Sequence, residues 1–143
     1  MAEFNATVLI PALNEEERIA ATVKAARHIP GVTRVIVVDD GSTDQTSKHA
    51  EEAGALVIKA EKKLGKGGAL NLGLSHFSGD YLLLLDADLG ATAGEGKKLL
   101  TAVAKGQADL VIGRFPTGEV KSGFGFLLFF AQRIIRRFTG LTL

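Results

Sequence analysis

The sequence predicts an α/β domain built on a mainly parallel sheet flanked by helices. Three observations carry this. Short apolar runs alternate with helical patterns along most of the chain, the arrangement that crossover helices impose on parallel strands. The run Leu82–Leu85 is four leucines long, the composition of a strand buried on both faces. A chain of 143 residues, 46% apolar and 23% charged, suits one domain with a sizeable core.

The elements follow in order. Ala6–Ile10, "ATVLI", reads as the first strand. A helix follows over Glu15 to His28, with Asn14 as N-cap and Glu17 at the reciprocal capping position. Arg34–Val38 is the second strand. Ser42, with Gln45 three residues on, opens a helix that ends at Gly54. Ala55–Ala60 is a third strand, Gly67–Ser75 a short helix and Tyr81–Leu85 the fourth strand. Thr92 and Glu95 form another capping pair, opening a helix to about Ala104, and Asp109–Gly113 is a fifth strand. Past this point the composition changes to "SGFGFLLFFAQRIIRRFTGLTL". The expected division is therefore residues 1–115 as the ligand-binding domain and 116–143 as a Phe- and Arg-rich segment.

Several classes are excluded by composition. A formal net charge of +1 carries no signal for nucleic acid or acidic partners. Cysteine is absent, which rules out a disulfide framework and cysteine-based zinc sites and fits a reducing compartment. The start "MAEFNATVLIPALNEEE" lacks the basic and long apolar regions of a signal peptide. No run reaches the ~18 apolar residues of a membrane span. The expected location is cytoplasmic, either free or peripheral at the cytoplasmic membrane face.

In an open parallel sheet, ligands sit beyond the carboxyl ends of the strands. The first strand ends in "PALNE", the second in "DDGSTD" and the fourth in "DADLG". Asp39, Asp40, Asp44, Asp86 and Asp88, with Glu15, are thereby expected at one edge. Like charges ~4 Å apart repel by ~4 kcal/mol at an effective dielectric near 20. A divalent cation is the simplest remedy, and carboxylates without His or Cys favour Mg²⁺ or Mn²⁺. Such ions keep positions open for the phosphates of a nucleotide.

Each motif also has a plainer reading. Asp86-Ala87-Asp88 reads as a metal site or as a turn with one N-cap. In Asp39-Asp40-Gly41-Ser42, a strand-to-helix turn explains Gly41 and Ser42 but not both aspartates. A carboxylate there commonly accepts hydrogen bonds from a ribose or base. Pro11 to Glu15 reads as a turn and cap, and it lacks the glycines of a dinucleotide fingerprint. Gly65-Lys66-Gly67-Gly68 fails the phosphate-loop pattern, because Gly67 stands where Ser or Thr should follow the lysine. A solvated loop and a phosphate contact both remain open for it. His28, His49 and His76 are isolated, each near a helix end.

Together, "VLIPALNEEERI", "VIVVDDGSTDQT", "GKGGALNLGL" and "DYLLLLDADLG" resemble, in that order and over roughly residues 6 to 113, the family 2 glycosyltransferases of GT-A fold. The look is nearest to the group containing dolichyl- and polyprenyl-phosphate sugar transferases. The resemblance implies a GT-A, Rossmann-like domain and metal-dependent, inverting sugar transfer from a UDP- or GDP-linked donor. It places Pro11, Ala12, Asn14 and Glu15 along the nucleotide, and Asp39 or Asp40, with Gly41, at the base or ribose. Lys66 would line the nucleotide site. Asp86, with Ala87, would lean towards the ribose or the metal, and Asp88 would ligate the metal on the diphosphate. Leu13 stands where many relatives carry Tyr. The acceptor is left open, a lipid phosphate among the options; Gly90 stands where polyprenyl-phosphate relatives often carry Gln, a further metal ligand, which weakens that option. Relatives continue beyond this point, so the catalytic base and acceptor contacts are expected outside these residues, and sugar transfer by this chain alone is expected to be poor.

Two alternatives share these features: a catalytically inert nucleotide- and metal-binding fragment, and a nucleotidyltransferase of related fold. The latter would usually show a glycine-rich basic loop where "PALNE" stands. The segment Phe124–Phe138 has an apolar first half and Arg133, Arg136 and Arg137 in its second. It reads as a helix packed on the rest of the protein or as one lying at a membrane face, and exposed Phe there would promote self-association.

Overall fold

The structure, a computed structural model, describes residues 4–113. Four strands form one parallel sheet in the order β3-β2-β1-β4. These are β1 (Ala6–Ala12), β2 (Val32–Asp39), β3 (Leu56–Lys59) and β4 (Tyr81–Leu84). Helices α1 (Ile19–Arg27), α2 (Thr46–Glu52), α3 (Gly65–Leu74) and α4 (Gly96–Ala104) connect or follow them, with a 3-10 helix over Gly90–Glu95 before α4. Strand β1 is central and pairs with β2 through Ala12↔Asp39, but with β4 only as far as Leu9↔Leu84. Pro11, which brings no N–H to a ladder, thus lies past the β4 pairing.

The pleat divides the sheet into two faces. Val8, Ile10, Val35, Val37 and Leu83 pack with Ile19, Val23 and Ala26 of α1, Ala50 of α2 and Leu100 of α4. Helix α1 buries Ile19, Thr22, Val23 and Ala26, the spacing of one helical stripe. On the opposite face α3 lies over β1 and β2 so closely that a Cβ on Gly73 would meet Leu9 and Val38. Helix α2 ends as expected: Gly54 follows with φ +98, and the Ala55 N–H reaches back to the Ala50 carbonyl at 3.0 Å.

Several expectations are corrected. Helix α1 begins at Ile19 rather than Glu15, so Asn14 is not its cap and Glu17 precedes it. Helix α2 begins at Thr46, whose N–H is taken by the Asp44 carboxylate at 3.0 Å; Ser42 is not the cap. Thr92 does not cap α4, because its hydroxyl donates back to the Leu89 carbonyl. Helix α3 starts two residues early, at Gly65. Leu83 is buried, but Leu82 and Leu84 are only half-buried, because α3 covers β1 and β2 on that face. Asp109–Gly113 forms no strand among the described residues, and Leu110 is 40% exposed. A strand exists only by pairing, and neither edge of the sheet bonds to this segment. The segment 116–143, with its membrane and self-association readings, lies outside the described residues.

Candidate functional site

The loops after β1, β2 and β4 open at the same, carboxyl edge of the sheet. The first two are stapled together. The Asn14 N–H donates to the Ser42 hydroxyl at 2.9 Å, and the Asn14 side-chain oxygen accepts the Thr43 N–H at 2.9 Å. Asn14 holds φ +52 to do so, a left-handed conformation that Asn tolerates. The Glu15 N–H donates to Thr46, the Glu16 N–H to Asp44, and the Gln45 N–H to the Glu16 carboxylate. Local capping rules pointed Asn14 at its own helix; the partner that won lies in the next loop.

Asp39 ends β2 and is 6% exposed. It accepts the Ser42 N–H at 2.8 Å and the Ser47 hydroxyl. Burial pushes its carboxyl up, but the donors of Ser47 and Ser42 outweigh this and hold it below the ordinary aspartate value. Asp40 is 4% exposed, and both of its oxygens are engaged, by the Leu64 N–H at 2.7 Å and the Gly65 N–H at 2.8 Å. The anion at the start of α3 is therefore a carboxylate of the protein itself. Gly41, at φ +94, makes the turn between these aspartates and Ser42.

Lys66, in the first turn of α3, forms an ion pair with Asp86, each side chain about a third exposed (30% and 35%). Asp88 is exposed and takes no hydrogen bond among the described residues. Ala87, between them, turns its methyl into the core and is 6% exposed. Pro11 is half-buried and Ala12 buried at the end of β1. Glu15 pairs with Arg18 at 3.2 Å. Burial raises the Glu15 carboxyl above its ordinary value, Arg18 opposes this, and the charge of Asp88 adds to the rise.

The six carboxylates do not form the bare cluster expected from the sequence. Hydrogen-bond donors serve Asp39, Asp40 and Asp44, and Lys66 and Arg18 serve Asp86 and Glu15. No three acidic or histidine side chains converge as a metal cage among the described residues. A cation is thus not needed to hold the loops. The donor set still suits one: two carboxylates, Asp86 and Asp88, on a single loop supply hard oxygen ligands and leave other positions to water and phosphate. Sequence reasoning missed Thr22, Thr43, Thr46 and Ser47, whose hydroxyls and amides hold these loops. Their decisive partners come from other elements, although Thr46 also bonds Asp44 two residues back and Thr22 the Arg18 carbonyl one turn back.

A parallel sheet with an aspartate pair beyond one strand, and two stapled loops beside it, fits the GT-A fold. The chain belongs to the family described as Glycosyl transferase family 2, whose model matches residues 7–141; the nucleotidyltransferase alternative falls away. It is 40% identical over 114 residues to an uncharacterized glycosyltransferase of Mycobacterium tuberculosis, covering 80% of this chain and 50% of that protein. It is 39% identical over 102 residues to the human dolichyl-phosphate beta-glucosyltransferase, covering 60% of this chain and 31% of that protein. Among solved structures it resembles glucosyl-3-phosphoglycerate synthase from M. tuberculosis in complex with Mn²⁺ and UDP-glucose. That match has a TM-score of 0.64 and 33% identity over 73% of this chain and 41% of the other. The chain spans about half the length of its mycobacterial relative.

Proposed function

We propose that this chain carries the donor-binding part of a metal-dependent glycosyltransferase whose donor is a uridine-diphosphate sugar. The observation that carries the reading is Asp86 and Asp88 on the loop after β4, beside the stapled loops after β1 and β2. The likeness to a synthase solved with Mn²⁺ and UDP-glucose supports both the metal and the uridine.

Asp88 and Asp86 are the metal ligands in this reading. A Mg²⁺ or Mn²⁺ held there supplies Lewis-acid stabilisation of the departing diphosphate. Asp39 is the better nucleoside ligand of the two candidates, because Asp40 is committed to the start of α3. Asp39 accepts the Ser42 N–H and the Ser47 hydroxyl on different oxygens, and a remaining carboxylate lone pair suits a ribose or base donor. Pro11, Ala12, Asn14, Glu15 and Gly41 form the backbone rim of the nucleoside site, with the Ala87 peptide between the metal ligands. Lys66 balances the charge of Asp86 in the ion pair, and its ammonium would offset part of the diphosphate charge if the nucleotide were bound. In the transfer, an acceptor oxygen bonds to the anomeric carbon as the bond to the diphosphate oxygen breaks, with inversion, and the electron pair leaves with UDP. A hydroxyl acceptor loses its proton to a base, which this reading assigns to the acceptor side, outside residues 4–113.

Calorimetric titration with UDP, GDP and their sugar conjugates tests this, in Mn²⁺, Mg²⁺ and EDTA. UDP and UDP-sugar are expected to bind with metal, and to bind much more weakly in EDTA or in D88A. Binding indifferent to both EDTA and D88A, or preference for GDP, overturns the proposal.

A further inference from the structure

We infer that Thr22 is a positioning residue for the metal-binding aspartates: one buried hydroxyl on α1 ties both ends of the turn that carries Asp88. This rests on the donor and metal reading above. Thr22 is fully buried, at 0% exposure. Its hydroxyl lies 2.7 Å from the Ala87 carbonyl and accepts the Gly90 N–H at 2.8 Å. A hydroxyl has one proton to give. The carbonyl of Arg18, one turn back on α1, is the competing acceptor at 3.0 Å, and the shorter bond goes to Ala87.

The consequence for Asp88 follows from what else holds it. Its side chain is exposed and takes no hydrogen bond among the described residues, so its position is set by its backbone. That backbone is pinned on one side by the Ala87 methyl in the core and the Ala87 carbonyl on Thr22. On the other side it is pinned by Gly90, at φ +56, whose N–H ends on the same hydroxyl. Asp86, by contrast, has Lys66 to orient it. Thr22 thus fixes the ligand that has no other side-chain tie among the described residues, and does so from inside the core through the backbone. Metal ligands must be held to within about 0.5 Å of the productive geometry. Losing a group that orients a ligand typically costs about 10- to 100-fold in metal affinity.

The test compares T22V and T22S in the full chain. Valine keeps the volume and removes the hydroxyl; serine keeps the hydroxyl. Mn²⁺ affinity is measured by electron paramagnetic resonance at saturating UDP, UDP affinity in EDTA by calorimetry, and stability by thermal unfolding. T22V is expected to weaken Mn²⁺ about 10- to 100-fold with UDP affinity in EDTA nearly unchanged, while T22S binds Mn²⁺ like the wild type. The inference is overturned if T22V binds Mn²⁺ as tightly as the wild type, if UDP binding in EDTA falls in step with Mn²⁺ binding, or if T22S loses as much as T22V. Should T22V not fold, T22A takes its place in the same comparison, and T22S still decides against the inference if it loses Mn²⁺ affinity. A wild-type chain that binds no Mn²⁺ with UDP sinks the donor reading and this inference together. Normal wild-type binding beside an unaffected T22V sinks the inference alone.

Discussion

Replacing Asp40 by asparagine separates a structural aspartate from a nucleotide ligand. The carboxylate is 4% exposed and receives two backbone N–H groups, from Leu64 at 2.7 Å and Gly65 at 2.8 Å. Asparagine has one oxygen. Whichever way its amide is turned, an NH₂ group faces one of those two donors. A hydrogen bond to a charged group contributes about 1.5–3 kcal/mol. The charge also faces the positive end of α3, which adds about 0.3–1 kcal/mol. D40N should therefore cost about 2–4 kcal/mol. At roughly 4 °C per kcal/mol for a domain of this size, the melting temperature falls by roughly 8–16 °C. Urea unfolding followed by circular dichroism gives the free energy by linear extrapolation, and an unchanged slope would confirm that the native fold is retained. A loss below about 0.5 kcal/mol, well under the hydrogen-bond value, combined with a marked loss of UDP affinity, would refute the reasoning and make Asp40 a nucleotide ligand.

Two further outcomes are expected. The native Asp39 carboxyl titrates below its ordinary value of 3.8, so the native state binds fewer protons there than the unfolded chain. The stabilisation from Asp39 is complete above that value and is lost as pH falls through the lower native one. The stability gap between wild type and D39N, measured by urea unfolding, should be constant near neutrality and shrink below about pH 4; a gap that widens in acid contradicts this. Lys66→Met removes the counter-charge of Asp86. A partly exposed ion pair is worth about 0.2–1 kcal/mol, so Mn²⁺ without nucleotide should bind up to roughly fivefold more tightly. Paramagnetic resonance titration of Mn²⁺ checks this, and weaker Mn²⁺ binding in K66M would show that Lys66 does not compete for Asp86.

The sequence by itself determined the alternation of strands and helices, and with it the parallel sheet. The runs Ala6–Ile10, Arg34–Val38 and Tyr81–Leu85 are apolar enough to be core strands in any compact form of this chain, and Gly54 ends α2 by a rule internal to the helix. Strand ends then follow, so the aspartates of "DDGS" and "DADLG" could be placed at one edge. The family resemblance was legible for the same reason, since its motifs sit at those ends. What the carboxylates do there was decided only by tertiary structure. The donors that engage Asp40 lie 24 and 25 residues away, those that engage Asn14 come from the next loop, and the hydroxyl that braces Ala87 lies 65 residues away. Capping rules weigh neighbours three residues apart, so they assigned Asn14, Ser42 and Thr92 to helices that start elsewhere. The fifth strand failed for a related reason: apolar β-branched composition marks a segment that can pair, but pairing needs an edge to which it bonds. A hydrogen bond is a property of two groups in space, and a sequence shows only one of them at a time.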